Sequence, residues 1–438
     1  MDKQIKQLNT IMGAYLPAFF DLYLNTDKSM DSLSLQMLSD SEKSAFFHEY
    51  IHFLQDITST CGLFNIYVIN ETFRLVATQC ATQNPFELPA KVPSNEISNN
   101  VLLNKYINKA IFGEGRDYPY SSIKITQIAF DDVGNKESKS KNINHIPIIK
   151  FQSYGTWWEF GYKEIMESMA YILQRLCTNS YQSPEFPYLT AERIAEFICP
   201  NFAKDILNII ALCDVALMTN QPGAYFVNYI SEIASGKNTI SKPEDIYDDY
   251  YKICGTDCNG VHMSSLQHYE ALYTHAKQAL KSYIAIPCIR CKLNKWIDLV
   301  LDTGYNIRKN RRYFFLDLAR EGDLLSNNTF MSLFLAIGTP LMHNNHGAYG
   351  RFQSHPNDYG DVMQYLLAIL PIYNTFCNGI VDENGKTIEC YMKAFCQSSG
   401  KQTDSTCITP WLKVKDRQLC PVATIWKHRK LAVNPIKI

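Results

Sequence analysis

The most constraining stretch of the sequence is AFFHEYIHFLQD, residues 45–56, where two histidines and a glutamate interrupt an apolar run. From Ala45 to Leu54 the only residues that ionise near neutral pH are His48, Glu49 and His52. Phe46, Phe47, Tyr50, Ile51, Phe53 and Leu54 leave no polar face, so a helix here must be buried nearly all round. Imidazoles and a carboxylate withdrawn from water need compensation, and a metal ion supplies it. Histidines four residues apart lie one helical turn from each other, where both rings converge on one tetrahedral ion. Glu49, next to the first, points near that ion without ligating it and is placed to take a proton from water that the ion acidifies. The competing reading is a pair of core histidines satisfied by their neighbours, with an incidental glutamate. An H-E-x-x-H pattern arises by chance in roughly one chain of this length in a hundred. It is therefore the apolar setting that favours the metal.

The segment resembles the active-site helix of the HExxH zinc metallopeptidases, with Ala45 where many members carry valine or threonine. That resemblance implies His48 and His52 as zinc ligands, Glu49 as general base and peptide-bond hydrolysis as the reaction. A catalytic zinc takes three protein ligands and keeps a fourth position open. The continuation FLQDITSTCG holds no third histidine, and Cys61 lies two turns too far along a helix. The match is thus to the gluzincin-like, thermolysin-type set, in which a carboxylate from a second helix completes the site. EFGYKEIMESMAYIL, residues 159–173, offers Glu164 and Glu167 on a polar face shared with Tyr171. Glu167-Ser-Met-Ala170 is similar to the E-x-x-A arrangement of several gluzincin families and favours Glu167, although Tyr171 stands where thermolysin-like enzymes carry an aspartate. Two solvated surface glutamates are the competing reading. Asp56, four residues after His52, suits either the orienting of a ligating imidazole or an ordinary capping role.

Gluzincins draw a transition-state donor, a histidine or tyrosine, from downstream sequence. LMHNNHGAYGRFQSHPNDYG, residues 341–360, supplies His343, His346, Tyr349, His355 and Tyr359, with Arg351 as a clamp for a substrate carbonyl or carboxylate. The same composition also suits a plain polar loop. Cys254, Cys258, Cys288 and Cys291 have the makings of a second, structural zinc site, but the first pair is spaced one residue too widely. Reduced, unligated cysteines are the simpler reading.

With 438 residues, 46% of them hydrophobic, the chain is long enough for two domains or one large domain with insertions. Residues 1–235 are expected to form the metallopeptidase-like region, with an insertion at about 82–150 between the ligand helices. Residues 236–438 are expected to be mainly helical and cysteine-bearing, contributing to the cleft. The pattern predicts an α+β fold, mainly helical, with a small sheet of the N-terminal half beside the motif helix. Strands are expected at 16–24, 33–38, 121–130 and 145–151, and a cap at Asp40-Ser41 opens the motif helix, which breaks near Gly62. Further helices are expected at 63–80, 158–177, 190–198, 203–218, 263–284, 292–302 and 360–370. Residues 82–120 read as a long excursion and 235–247 as a linker.

Lys plus Arg (42) and Asp plus Glu (43) cancel, which leaves no global footprint for nucleic acid. The N-terminus lacks a signal-like pattern and no apolar run reaches membrane-spanning length. A cytoplasmic protein with 14 reduced cysteines, acting on a protein or peptide, is therefore expected. A metal-dependent amidase on a small substrate, or an aromatic-rich scaffold with a degenerate metal site, also fits the sequence.

Overall fold

Ser39 and Glu42 start the motif helix by capping each other. The Ser39 Oγ accepts from the Glu42 N–H at 3.3 Å, and the Glu42 carboxylate accepts from the Ser39 N–H at 2.7 Å. Helix α1, Asp40–Thr58, is thus capped by Ser39, one residue before the expected cap. The computed structural model describes residues 12–30, 33–83, 86–90, 95–114, 122–132, 146–178, 183–256, 262–282, 284, 286–347, 349–350, 352, 359–379, 390–398, 403–404, 407, 409–415 and 420–431. Every residue of α1 from Ser44 to Thr58 is buried, as a helix without a polar face demands. Ser59 closes α1 and caps α2, Thr60–Thr82, through its Oγ, which accepts from the Gly62 N–H at 3.0 Å. A Cβ at Gly62 would come within 2.3 Å of the Asp56 carbonyl oxygen. Glycine there lets the two helices meet at a sharp corner, so the chain breaks at Ser59, just before the expected point.

Residues 16–24, expected as one strand, instead form a hairpin of β1 (Gly13–Leu16) and β2 (Asp21–Leu24). Its turn places Ala18 and Phe20 in the left-handed region, with φ of 64° and 54°. The strand expected at 33–38 is a short 3-10 turn, Leu35–Met37. The excursion at 82–120 contains helix α3, Glu96–Ala110, capped by Asn95. The two strands expected near 121–151 pair antiparallel as β3 (Ile125–Asp132) and β4 (Pro147–Ser153). β5 (Thr156–Phe160) extends that sheet over residues expected to begin a helix. The helix itself, α4, starts later and spans Tyr162–Cys177.

Beyond α4 the described residues are mainly helical. It continues as α5 (Glu185–Tyr188), α6 (Thr190–Ile198), α7 (Pro200–Ala203), α8 (Ile206–Leu217), α9 (Pro222–Ala234) and α10 (Glu244–Lys252). A small hairpin, β6 (Cys254–Thr256) and β7 (His262–Ser264), precedes α11 (Ser265–Lys281), α12 (Pro287–Asn310), α13 (Phe314–Glu321) and α14 (Asn328–Ile337). Strands β8 (Leu341–His343) and β9 (Tyr349–Gly350) follow, then α15 (Gly360–Leu367), α16 (Ile369–Asn378), α17 (Lys393–Ser398) and α18 (Pro421–His428). The fold is α+β and mainly helical.

The sheet beside α1 has the order β1-β2-β8-β9, with β8 parallel to β2. Half of its strands therefore come from residues 341–350 rather than from the N-terminal half. Buried side chains from Tyr15 to Leu431 join one hydrophobic cluster. α12 reaches α1 closely: a Cβ at Gly304 would come within 2.4 Å of the Ile57 carbonyl oxygen. Among the described residues no helix is long and apolar enough to cross a membrane.

α1 and α4 lie side by side in opposite directions, and two glutamines tie them together. Gln55, late in α1, donates its amide to the Met166 carbonyl early in α4 at 3.1 Å. Gln174, late in α4, donates to the Ser44 carbonyl early in α1, also at 3.1 Å. The site described next lies between these two ties.

Candidate metal centre

The α1–α4 contact brings His48, His52 and Glu167 together, the only group of three metal-ligating donors within 4.8 Å of one another among the described residues. The two Nε2 atoms are 3.0 Å apart, and the Glu167 Oε2 lies 3.1 Å from that of His48 and 3.3 Å from that of His52. Donors on a tetrahedral ion at ~2.0–2.1 Å stand roughly 3.3 Å from one another. The spacing is that of a ligand set.

The glutamines decide what these nitrogens do. The Gln55 Oε1 lies 2.8 Å from the His52 Nδ1, and the Gln174 Oε1 lies 3.2 Å from the His48 Nδ1. Each glutamine amide nitrogen already donates to a backbone carbonyl, which only accepts, so each Oε1 must face its histidine. Each Nδ1 is therefore the protonated nitrogen, and each neutral imidazole turns the Nε2 lone pair inward. Two lone pairs and a carboxylate oxygen then converge with no donor among them. Such an arrangement requires a cation. In the absence of a metal, a proton serves: burial disfavours an imidazolium at His52, yet Glu167 and Glu49 push it up to about 9. Burial likewise opposes the Glu167 charge, but His52 and His48 hold that carboxyl well below the usual range.

Glu49 lies against the same donors without joining them. Burial raises its carboxyl, with His48 and His52 pulling it back down. Its other side abuts β1, where a Cβ at Gly13 would come within 2.8 Å of the Glu49 Cγ. The absence of a side chain there is what lets Glu49 sit against β1. The centre opens to solvent at Glu167, whose side chain is 19% exposed against 7% and 5% for the two histidines. Tyr188 of α5 forms a wall, its ring edge-on to His48 with centroids 5.7 Å apart, and Tyr171 packs behind it at 5.6 Å.

Glu164 is elsewhere. Its carboxylate accepts from the Gly161 and Glu114 N–H groups at 2.9 and 3.2 Å and closes the start of α4, and burial pushes it up to about 8. Asp56 does not hold an imidazole either. It accepts from the Tyr15 hydroxyl and the Ala18 N–H, both at 2.9 Å, and so fixes the β1–β2 turn. His52 finds its orienting partner in Gln55 instead. Both glutamines lie on the stripes that carry the ligands, three residues after His52 and seven after Glu167. That spacing is the signal by which they were findable.

The downstream histidines go to other partners. The His343 Nδ1 lies 3.1 Å from Asp21, which also accepts from the Tyr391 hydroxyl at 2.9 Å. His346 pairs with Asp27 at 3.0 Å on the surface, and Tyr349 stacks on His343. Tyr359 is buried, and His355 and Arg351 lie outside the described residues. Cys254 and Cys291 are exposed, whereas Cys258 and the side chain of Cys288 lie outside the described residues. No family model, curated protein or solved structure matches the chain.

Proposed function

We propose that this protein is a zinc-dependent peptidase in which His48, His52 and Glu167 hold the metal and Glu49 is the general base. One observation carries the reading: three acceptors at ligand spacing, with both imidazole tautomers set by glutamines so that only lone pairs face inward. Two histidines and a glutamate are a hydrolytic zinc set, and the bound ion would polarise the scissile carbonyl and acidify a water. The remaining steps belong to the chain. Glu49, raised by burial, takes a proton from the attacking water and delivers it to the leaving amine. β1, the outer strand of its sheet among the described residues, runs past Glu49 at Gly13 and is the edge along which an extended peptide would pair. Gln55 and Gln174 keep the ligating nitrogens aimed while the reaction proceeds.

The test combines elemental analysis with digestion of a mixed peptide library. Wild-type protein should carry zinc at the centre and cleave peptides, while Glu49→Gln should keep the metal and lose at least ~1000-fold in rate. Undiminished cleavage by Glu49→Gln would sink the mechanism. A protein purified without metal and without activity would point to a scaffold, and activity on small amides alone to an amidase.

A further inference from the structure

A large cavity lies beyond the far end of α1, bounded by α2, α3, the corner between α8 and α9, α10 and α11. Its volume of about 820 Å³ falls within the roughly 300–1,000 Å³ of small-molecule sites and far exceeds the voids of a packed interior. None of His48, Glu49, His52 and Glu167 lines it. We infer that this cavity binds an uncharged aromatic small molecule, at a site separate from the proposed peptidase centre.

The lining sets the chemistry of the ligand. Among the 22 described residues around the cavity there is no Asp, Glu, Lys or Arg, where the chain's 19% charged content would place about four. Burial pushes the His268 imidazole below its usual range, so the ring is neutral at pH 7. An ionised ligand would find no counter-charge here and would lose its hydration without return. Flat side chains form the walls, Phe64, Tyr67, Tyr225 and Tyr250, with Met218 and Met263 among them. Aromatic rings pack well against rings and thioethers, which favours a flat aromatic ligand over a flexible chain.

The walls are fixed before any ligand arrives. The Tyr250 hydroxyl donates to the Met218 carbonyl at 2.8 Å, and its ring braces Tyr225 edge-on with centroids 6.4 Å apart. The Cys61 thiol donates to the Thr219 carbonyl at 3.3 Å and ties α2 to the α8–α9 corner. Hydrogen-bonding capacity around the cavity is left unused. Thr60, the first residue of α2, lines it at 1% exposure, and its Oγ1 has no partner among the described residues. A buried hydroxyl is ordinarily hydrogen-bonded, and a polar group on the ligand would meet this one. The Asn104 side-chain amide and the hydroxyls of Tyr67 and Tyr225 also lack partners among the described residues. A ligand with an apolar body and one polar group matches that division.

Two fluorescent compounds that differ by one charge test the site on the intact protein. N-phenylnaphthylamine is neutral, and anilinonaphthalene sulfonate is the same ring system bearing a sulfonate. Wild type should bind one equivalent of the neutral compound, at least ~10-fold more tightly than the sulfonate. Asn104→Trp fills the cavity from a position whose side chain holds nothing in place, and should weaken binding of the neutral compound at least ~10-fold. No binding, equal affinity for the two compounds, or undiminished binding by Asn104→Trp would each overturn the inference. The comparison of the two compounds needs no variant to fold. His48→Ala/His52→Ala should bind the neutral compound as wild type does, and loss of binding there would overturn the separation of the two sites. Failure of the peptidase reading therefore leaves this site standing, and absence of binding here leaves the peptidase reading untouched.

Discussion

Two buried charged clusters sit on α1, and they are balanced in opposite ways. At its last residue, Arg308 of α12 meets Asp214 of α8 with paired bonds of 2.7 and 2.8 Å. Two further donors go to the Thr58 carbonyl and hydroxyl at 3.0 and 3.4 Å, and Asp214 also accepts from the Tyr247 hydroxyl at 2.9 Å. Four of the five guanidinium N–H groups thus have acceptors, and the positive charge is paired with a carboxylate. Further back on the same helix, His48 and His52, with Glu167 of α4 against them, present acceptors alone. Both clusters are buried and both join α1 to other helices. The difference lies in the positive charge: Arg308 supplies it to the first cluster, and on the proposed reading a metal ion supplies it to the second.

The sharpest way to break this comparison is to delete one acceptor from each cluster. Asp214→Ala strands a guanidinium in the core and should cost about 3–5 kcal/mol of unfolding free energy, whether or not metal is present. Urea denaturation with and without chelator measures it. Glu167→Gln should weaken metal binding at least ~100-fold, yet leave metal-free protein at pH 9 within about 1 kcal/mol of wild type. The introduced amide N–H can donate to the lone pairs that the carboxylate only opposed. A metal-free Glu167→Gln protein as unstable as Asp214→Ala would mean that the histidine cluster is structural after all.

How far each cluster was legible in the sequence follows from the kind of signal it leaves. HEYIH shows itself because its charges interrupt an apolar helix at a spacing of one turn. Glu167 was preferred to Glu164 because of Ala170, and the structure puts Glu167 with the imidazoles and Glu164 on the helix cap. Gln55 and Gln174 carry no charge and no motif, so only their place on the ligand stripes betrays them. Arg308 and Asp214 are 94 residues apart and meet through packing that no local pattern encodes. The β1–β2 hairpin was hidden because its turn uses Ala18 and Phe20 in the left-handed region where glycine or asparagine is the usual sign. β8 was missed because a three-residue strand pairing in parallel with a distant partner has too short a period to read. Helix α3 was obscured by its asparagines, which suggest loop composition although one of them, Asn95, is the cap that starts it.

A smaller effect sharpens the comparison from the supporting residues. Gln174→Leu removes the acceptor that sets the His48 tautomer, while its tie to Ser44 is one of several between the helices. Metal affinity should fall 10–100-fold, which is the range for loss of a partner that orients a ligating histidine. Isothermal titration of zinc into metal-stripped protein reads it directly, and unchanged affinity would show that the tautomer is set by something else.

A change of pH distinguishes the clusters without a mutation. In the metal-free fold His52 is pushed up to about 9, above its unfolded value of 6.5, because Glu167 and Glu49 outweigh the burial that opposes its charge. The bound proton therefore stabilises the metal-free fold fully below pH 6.5, and that contribution is lost as pH rises through about 9. A metal ion must displace the same proton. Apparent zinc affinity should then rise about tenfold per pH unit between 7 and 8 and level off above 9, with close to one proton released per ion bound. Calorimetry in two buffers of different ionisation enthalpy counts that proton. The Arg308–Asp214 cluster binds no competing cation and should add no such slope to stability over the same interval. A zinc affinity flat from pH 7 to 8, with no proton released, would show that the converging lone pairs are already free of a proton and stand together without a cation.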